Sequence, residues 1–356
     1  MDRHRILVVF VVAVALAALL FVRMGVVRRP PTQNVAPPQA SDRGVQYVGY
    51  TTEVMSTLIT VRVPEHQGEE AAEVVFNVFR DIDARMSEWK ETSPLSQVNR
   101  AAGEGPVRVP DDLRALIRRG TEIGDLTGGA FDITWAALWG LWDFTAERPE
   151  VPDDDEIDRR LALIDYRCVE IDEEAGTVFL PEKGMVLGLG GIAKGHALDR
   201  AAAALKARGI DSFLISAGGQ MMAGGMKGDR PWRVGIRDPR GDPEDYFAHL
   251  EVADTSVSTS GDYERYFVLD DVRYHHILDP RRGRPARGLR SATVVSSDAT
   301  LADALSTALM ILGRDAALEL VESLDGVEAV LVDDEAKIHL TSGLTDRMTV
   351  VRPPEK

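Results

Sequence analysis

The segment Gly188–Asp199, GLGGIAKGHALD, constrains this chain more than any other twelve residues. Gly188, Gly190 and Gly191 fall in a tight loop. Lys194 follows at the start of an expected helix through Ala201, Ala204 and Leu205. Glycine lets backbone approach a ligand where a Cβ would collide. A helix N-terminus offers an anion unpaired N–H groups and the positive end of a dipole. With the mobile charge of Lys194 the segment describes a phosphate cradle, although its spacing matches neither a Walker loop nor a dinucleotide fingerprint. It also fits a plain strand-to-helix turn, so the rest of the chain has to decide.

A chain of 356 residues can form one large or two medium domains, and 44% hydrophobic with 28% charged residues places it among globular proteins rather than disordered ones. The formal net charge is -16, and residues 1–40 hold five arginines against one acid, so the remainder is more acidic still. Such a body repels nucleic acid and anionic lipid headgroups. A phosphate-bearing small molecule would need a local positive site or a metal. The single cysteine, Cys168, excludes an intramolecular disulfide framework and a cysteine-rich zinc site.

Arg3 and Arg5 precede Ile6–Val22, a run without charge, and Arg23, Arg28 and Arg29 follow it directly. The run is short for a span and long for a cleaved signal. The following arginines favour an uncleaved signal anchor over residues 1–29, with a cleaved signal peptide as the alternative. No cysteine follows the run, which excludes lipoprotein processing. Residues 30–44 are proline-rich and read as a linker. A single domain is expected over 45–345, with a tail at 346–356.

Within that domain Val45–Val63 reads as strands, rich in Val, Thr, Tyr and Ile. Ala72, Val75, Phe76, Phe79, Ile82 and Met86 recur at helical spacing, and a second helix begins near Asp111. A polar loop around Trp89 separates the two. After TGGAFDIT (127–134) the spacing predicts a helix carrying Trp135, Trp139 and Trp142, kept in the core, and the acidic run Asp153–Glu156 suits a helix start. Strands are expected at 211–217, 232–236, 246–252, 256–260, 266–269, 274–278, 329–332 and 337–340, and an apolar helix at 299–312. No regular βαβ alternation appears, so the fold class is α+β, with mixed sheets and packed helices.

Asp303 and Thr307 stand four apart on the apolar helix, so both oxygens leave from one face. Burying either one unpaired is costly. A hard cation such as magnesium, shared with substrate phosphates, is one partner. An aspartate capping a neighbouring loop and a threonine bonded to its own helix is the other explanation. His275 and His276 adjoin Asp279 and a Pro-Arg-Arg-Gly turn. Successive strand residues face opposite ways, so one histidine at most enters a given cleft, where it could act as a base. Trp89 and Phe131 lie in polar or glycine-rich loops, where an aromatic can stack on a flat ring or simply pack.

These pieces combine into an ordered set: MST (55–57), MSEW…SPLSQVN (86–99), TGGAFDIT, LGLGGIAKGHALD, ISAGGQ, WRVGIRDP, STSGDYERYF, YHHILDPRRGRPA and TVVSSDATLADALSTAL. The set resembles the ApbE family of FAD:protein FMN transferases over about Val45–Leu340. The resemblance implies an ApbE-like fold and magnesium-dependent transfer of FMN from FAD onto a threonine or serine hydroxyl of a target protein, with release of AMP. It implies Asp303, Thr307 and the Gly191 carbonyl as magnesium ligands. Met55, Trp89, Ala130, Phe131, Asp132 and Lys194 are implied as FAD contacts. His276 is the implied base near the scissile phosphate, with Asp262 as a further catalytic candidate and Asp279 as a reserve. Expected partners are FAD and flavinylation acceptors such as redox-complex subunits or FMN-binding-domain proteins. The anchor would then hold the enzyme at the cytoplasmic membrane with its domain outside. A FAD pyrophosphatase and a non-catalytic flavin-binding or metal-delivery protein are the rival functions. The chain departs from the family pattern at Ser56 (usually glycine), Gly188 (aspartate) and His196 (tyrosine).

Overall fold

A computed structural model describes residues 44–356. The expected anchor and nearly all of the expected linker lie outside the described residues. Eight strands form one sheet whose spatial order is the chain order: Tyr47–Val54, Thr57–Pro64, Phe213–Ala217, Gln220–Gly224, Thr255–Gly261, Leu289–Ser296, Val327–Asp333 and Ile338–Leu340. Every neighbouring pair is antiparallel. Each long connection is therefore an insertion between adjacent strands, and these insertions carry the site.

The first hairpin closes on Met55 and Ser56, both at positive φ (54° and 56°), between the paired Val54 and Thr57. Two central residues at positive φ make a type I′ turn, whose twist matches the flanking strands. Helices Gly68–Met86, Ala193–Lys206 and Ala299–Leu312 cover one face of the sheet. The periodic residues of the first, from Ala72 to Met86, are all buried as expected. Full burial of a side chain such as Phe79 contributes roughly 1.5–3 kcal/mol. The last helix is apolar nearly all round because it is enclosed by the sheet, Ala193–Lys206 and Arg314–Glu322.

Strands Trp232–Arg237, Tyr246–Val252 and Met348–Val350 form a smaller antiparallel sheet on the opposite face. Val234, Ile236, Phe247 and Leu250 meet Leu214, Met221, Val257 and Val295 there. The central sheet is thus buried on both sides.

Several expectations are corrected. The tryptophan helix is only a 3-10 turn, Ala136–Leu138, after which the chain turns at Gly140 with φ 72°. Trp142 is in the core, but Trp135 and Trp139 are only partly buried. The polar loop after Trp89 contains a helix, Pro94–Arg100, capped by Ser93. Part of the expected tail pairs with Tyr246–Val252 and belongs to the fold. The strand expected over 274–278 stops at His275. Leu289–Ser296, Gln220–Gly224 and the helix Arg314–Glu322 went unread.

Candidate functional site: a glycine loop against a buried aspartate

Helix Ala193–Lys206 meets helix Ala299–Leu312 at Gly195. A Cβ there would lie 2.1 Å from the Ala299 carbonyl oxygen and 2.7 Å from Asp303 Cβ. The close approach lets the Gly195 N–H donate to Asp303 Oδ2 at 2.8 Å. One turn further, Asp199 accepts from the Ala299 N–H (2.9 Å) and from the Thr300 N–H (2.8 Å) and hydroxyl (2.5 Å). Asp298 caps the same helix through the Leu301 N–H. The glycine and the aspartate of the opening motif thus fix the register of the two helices, and with it the position of Asp303.

Asp303 is 1% exposed. Its Oδ1 makes no hydrogen bond among the described residues, whereas its other oxygen caps the neighbouring helix. Both explanations offered by the sequence therefore hold, one for each oxygen. Thr307 Oγ1 has one hydrogen-bonding neighbour, Ser260 Oγ at 3.4 Å, and Ser260 lies closer to Ser306 Oγ at 2.8 Å. A Cβ on Gly191 would stand 3.7 Å from Thr307 Oγ1, and the Gly191 carbonyl accepts no hydrogen bond among the described residues. A carboxylate oxygen and a carbonyl are left without a hydrogen bond among the described residues, beside a hydroxyl held only at 3.4 Å by Ser260; these are oxygen types a hard cation takes. Among the described residues no group of three or more His, Cys, Asp or Glu is placed to hold a metal ion.

Lys194 Nζ donates to the Gly190 carbonyl at 2.8 Å, folding over the loop. Facing the same loop is Glu88, which the sequence reading missed although it stands beside Trp89. A Cβ on Gly190 would lie 3.6 Å from Glu88 Oε1. Burial pushes the Glu88 carboxyl up to about 6, against the pull of its own backbone N–H and of Lys194. The SPLSQVN motif sets this geometry. Ser93 Oγ donates to the Ser87 carbonyl and Ser96 Oγ to that of Glu88. Asn99 pairs with both backbone groups of Leu187, at 2.9 and 2.8 Å, just before the glycine loop.

Phe131 reaches the loop, its Cε2 lying 3.2 Å from a Cβ built on Gly191. Ala130 beside it is buried. Asp132 spends its carboxylate inside the protein, on the Thr134 N–H and hydroxyl and on the Tyr166 N–H. Its side chain staples the loop and leaves ring contact to Phe131. Trp89 is 70% exposed and stacks on Trp139 at 3.8 Å between centroids. Met55 packs against the main core from the first hairpin. At Gly188 a Cβ would stand 2.8 Å from Ala136 Cβ and 3.0 Å from Trp135 Nε1, which donates to the Gly188 carbonyl. A neighbouring indole therefore accounts for the glycine at that position.

The histidines divide as one in and one out. His275 is buried, with Nε2 at 2.9 Å from the Ala286 carbonyl. His276 has a buried Nδ1 without a partner. Burial, His275 and Arg265 push its pKa down to about 4, and Lys194 is near enough to add to the effect. It is therefore a neutral imidazole at pH 7. Asp262, read as a catalytic candidate, is buried and holds Arg240 through both oxygens, each at 2.7 Å. That pairing orders the turn after the Thr255–Gly261 strand and leaves no free base. Asp279 is likewise taken, by Arg281.

Glycine loop, lysine and the oxygens of Asp303, Thr307 and Gly191 come together at one end of an antiparallel α+β fold. The sequence model of the ApbE family matches residues 55–331, and the chain belongs to that family. It is 36% identical to the FAD:protein FMN transferase of Treponema pallidum, over 84% of this chain and 88% of the relative. The Salmonella typhimurium protein of the same name is 30% identical over 91% of this chain and 93% of its own. The crystal structure of the ApbE protein of Thermotoga maritima superposes with a TM-score of 0.77 at 35% identity, covering 84% of this chain and 98% of that one. The flavin transferase ApbE of Vibrio cholerae gives 0.76 at 26% identity, covering 85% and 99%.

Proposed function

We propose that this chain transfers FMN from FAD to a threonine or serine hydroxyl of a target protein, releasing AMP. The observation that carries the reading is the oxygen set of Asp303, Thr307 and Gly191 beside the Lys194 loop, in a chain whose relatives are named FAD:protein FMN transferases. Asp303 Oδ1, Thr307 Oγ1 and the Gly191 carbonyl would hold magnesium, which when bound offsets pyrophosphate charge and polarises phosphorus. Lys194 exchanges its Gly190 carbonyl for a phosphate oxygen. Phe131, Trp89 and Met55 border the ring.

The acceptor hydroxyl forms a new P–O bond to the FMN phosphorus, the P–O–P linkage breaks, and AMP leaves with the bridging oxygen. The hydroxyl proton goes to His276, which is neutral at pH 7 and lies near Lys194. Asp262 acts at a distance by fixing Arg240, and Asp132 by fixing the Phe131 loop. The run Ile6–Val22 anchors the enzyme in the cytoplasmic membrane with its domain on the outer side.

The test is a set of magnesium titrations of AMP release for wild type, Asp303→Asn, Thr307→Val and the double variant. A shared ion predicts weaker magnesium dependence-midpoints in both single variants and a double variant well short of additive. Identical metal dependence in all four would refute the assignment. Protein-bound flavin fluorescence after denaturation separates transfer from hydrolysis, which yields only free FMN.

A further inference from the structure

A second recess lies beside the candidate base. It is a cavity of about 200 Å³ lined by Trp142, Tyr274, Arg282, Arg284, Pro285 and Arg287. Its floor is apolar: Trp142 stacks on Tyr274 at 5.8 Å, and its only N–H is spent on the Gly283 carbonyl at 2.9 Å. Its rim is positive. Arg284 is paired with Asp154. Arg287 lies over the Tyr274 ring, 5.0 Å from its centroid, and donates to the Arg273 carbonyl at 2.6 Å, so it is held in place with no carboxylate partner among the described residues. Arg282 is exposed, and its side chain has no partner among the described residues. Asp279 is engaged with Arg281 and Glu156 with Arg159 and Arg160, and no acid lines the recess itself. Two guanidiniums with no ion pair among the described residues, over an aromatic floor, stand out on a chain of net charge -16.

We propose that this recess binds an acidic segment of the acceptor polypeptide, seating a carboxylate on Arg282 and Arg287 and an apolar side chain on Trp142 and Tyr274. The proposal rests on the transferase reading. The phosphates of FAD are already provided for at the glycine loop, so this recess serves the other substrate. Tyr274 and His276 are two residues apart, which places their Cα atoms within ~7 Å. A peptide offering a hydroxyl to His276 reaches the recess with a residue two or three positions away, since an extended chain advances about 3.3 Å per residue. Guanidinium pairs carboxylate in a planar, two-bond geometry and also stacks on aromatic faces. An anionic membrane surface would also meet positive charge here, but a concave, aromatic-floored recess suits a side chain better than a plane of headgroups.

The experiment uses two fluorescein-labelled twelve-residue peptides around a central threonine. One carries Asp, Glu and Phe; in the other Asn and Gln replace the acids. Anisotropy titrations compare wild type, Arg282→Gln and the Arg282→Gln/Arg287→Gln double variant. The acidic peptide should bind wild type at least about tenfold more tightly than its neutral counterpart. That preference should shrink in the single variant and vanish in the double. Because the exposed Arg282 side chain makes no hydrogen bond or ion pair among the described residues, its replacement leaves the fold intact and the single variant decides even if the double is unstable. Equal binding of both peptides to wild type, or an unaltered preference in the variants, overturns the proposal. So does pelleting of wild type but not the double variant with phosphatidylserine vesicles in the absence of peptide binding. FAD binding, read by flavin fluorescence, should be the same in all three proteins. Its absence from wild type would refute the transferase reading, while the peptide titrations still decide what the recess binds.

Discussion

Replacing Gly195 by alanine tests how the fold positions the helix that carries Asp303. Inside an exposed helix this change stabilises by ~1 kcal/mol, because alanine is the better helix former. Here the new methyl would stand 2.1 Å from the Ala299 carbonyl oxygen, a backbone atom that cannot swing aside. The two helices must separate by about 1 Å, and overpacking of that kind costs ~1–3 kcal/mol. Separation also stretches the 2.8 Å bond from the Gly195 N–H to Asp303, a charged acceptor whose loss costs ~1.5–3 kcal/mol. After subtracting the helix-propensity gain, the net destabilisation is about 1.5–5 kcal/mol. With an unfolding entropy of about 2.1 cal/mol/K per residue over about 300 folded residues, Tm should fall by roughly 2–8 °C. Calorimetry gives that number directly. A parallel magnesium titration should show weaker metal binding even well below Tm, since Asp303 moves with its helix. A Tm equal to or above wild type would show that the crossing is looser than these distances say, and the account of how Asp303 is placed would fail.

Three further outcomes are expected. Ser56→Gly relieves a left-handed backbone at the hairpin tip and should raise stability by about 0.5–1 kcal/mol in urea unfolding; a decrease would mean that the serine side chain makes a compensating contact. Asn99→Ala strands both backbone groups of Leu187 and should cost ~2–3 kcal/mol, with a larger proportional loss of FAD affinity than of secondary structure by circular dichroism. His276 titrates at about 4 in the folded protein against 6.5 ordinarily. The unfolded chain therefore takes up a proton between those values that the folded one refuses, and stability is lost as pH falls from 6.5 towards 4, by up to about 3 kcal/mol. His276→Asn should flatten that acid slope in pH-dependent denaturation, and an unchanged slope would remove His276 as its source. Glu88, raised to about 6 from 4.5, acts with the opposite sign. Its neutral form favours the fold, and that contribution is lost as pH rises through 6.

The sequence by itself determined the features that rest on local periodicity and on ordered motifs. The helix from Ala72 to Met86, the helix over 299–312 and the sequence pattern of the family were legible because each face or turn writes its demand into neighbouring residues. The strand Leu289–Ser296 was not legible, since it is buried on both faces and shows no alternation, and its Arg290, Ser291 and Thr293 look like surface residues in one dimension. The tryptophan segment failed for the converse reason: its spacing is helical, but Gly140 and the packing of Trp135 against Gly188 turn the chain after one 3-10 turn. Which histidine stays unpartnered, which Asp303 oxygen is left free, and that Glu88 faces Lys194 were decided only in three dimensions. Each depends on atoms brought together from inserts far apart in the chain, as Gly195 and Asp303 are across 108 residues. Hydrogen bonding and burial at such distances leave no periodic trace in the sequence, because they are satisfied by position in space and not by spacing along the backbone.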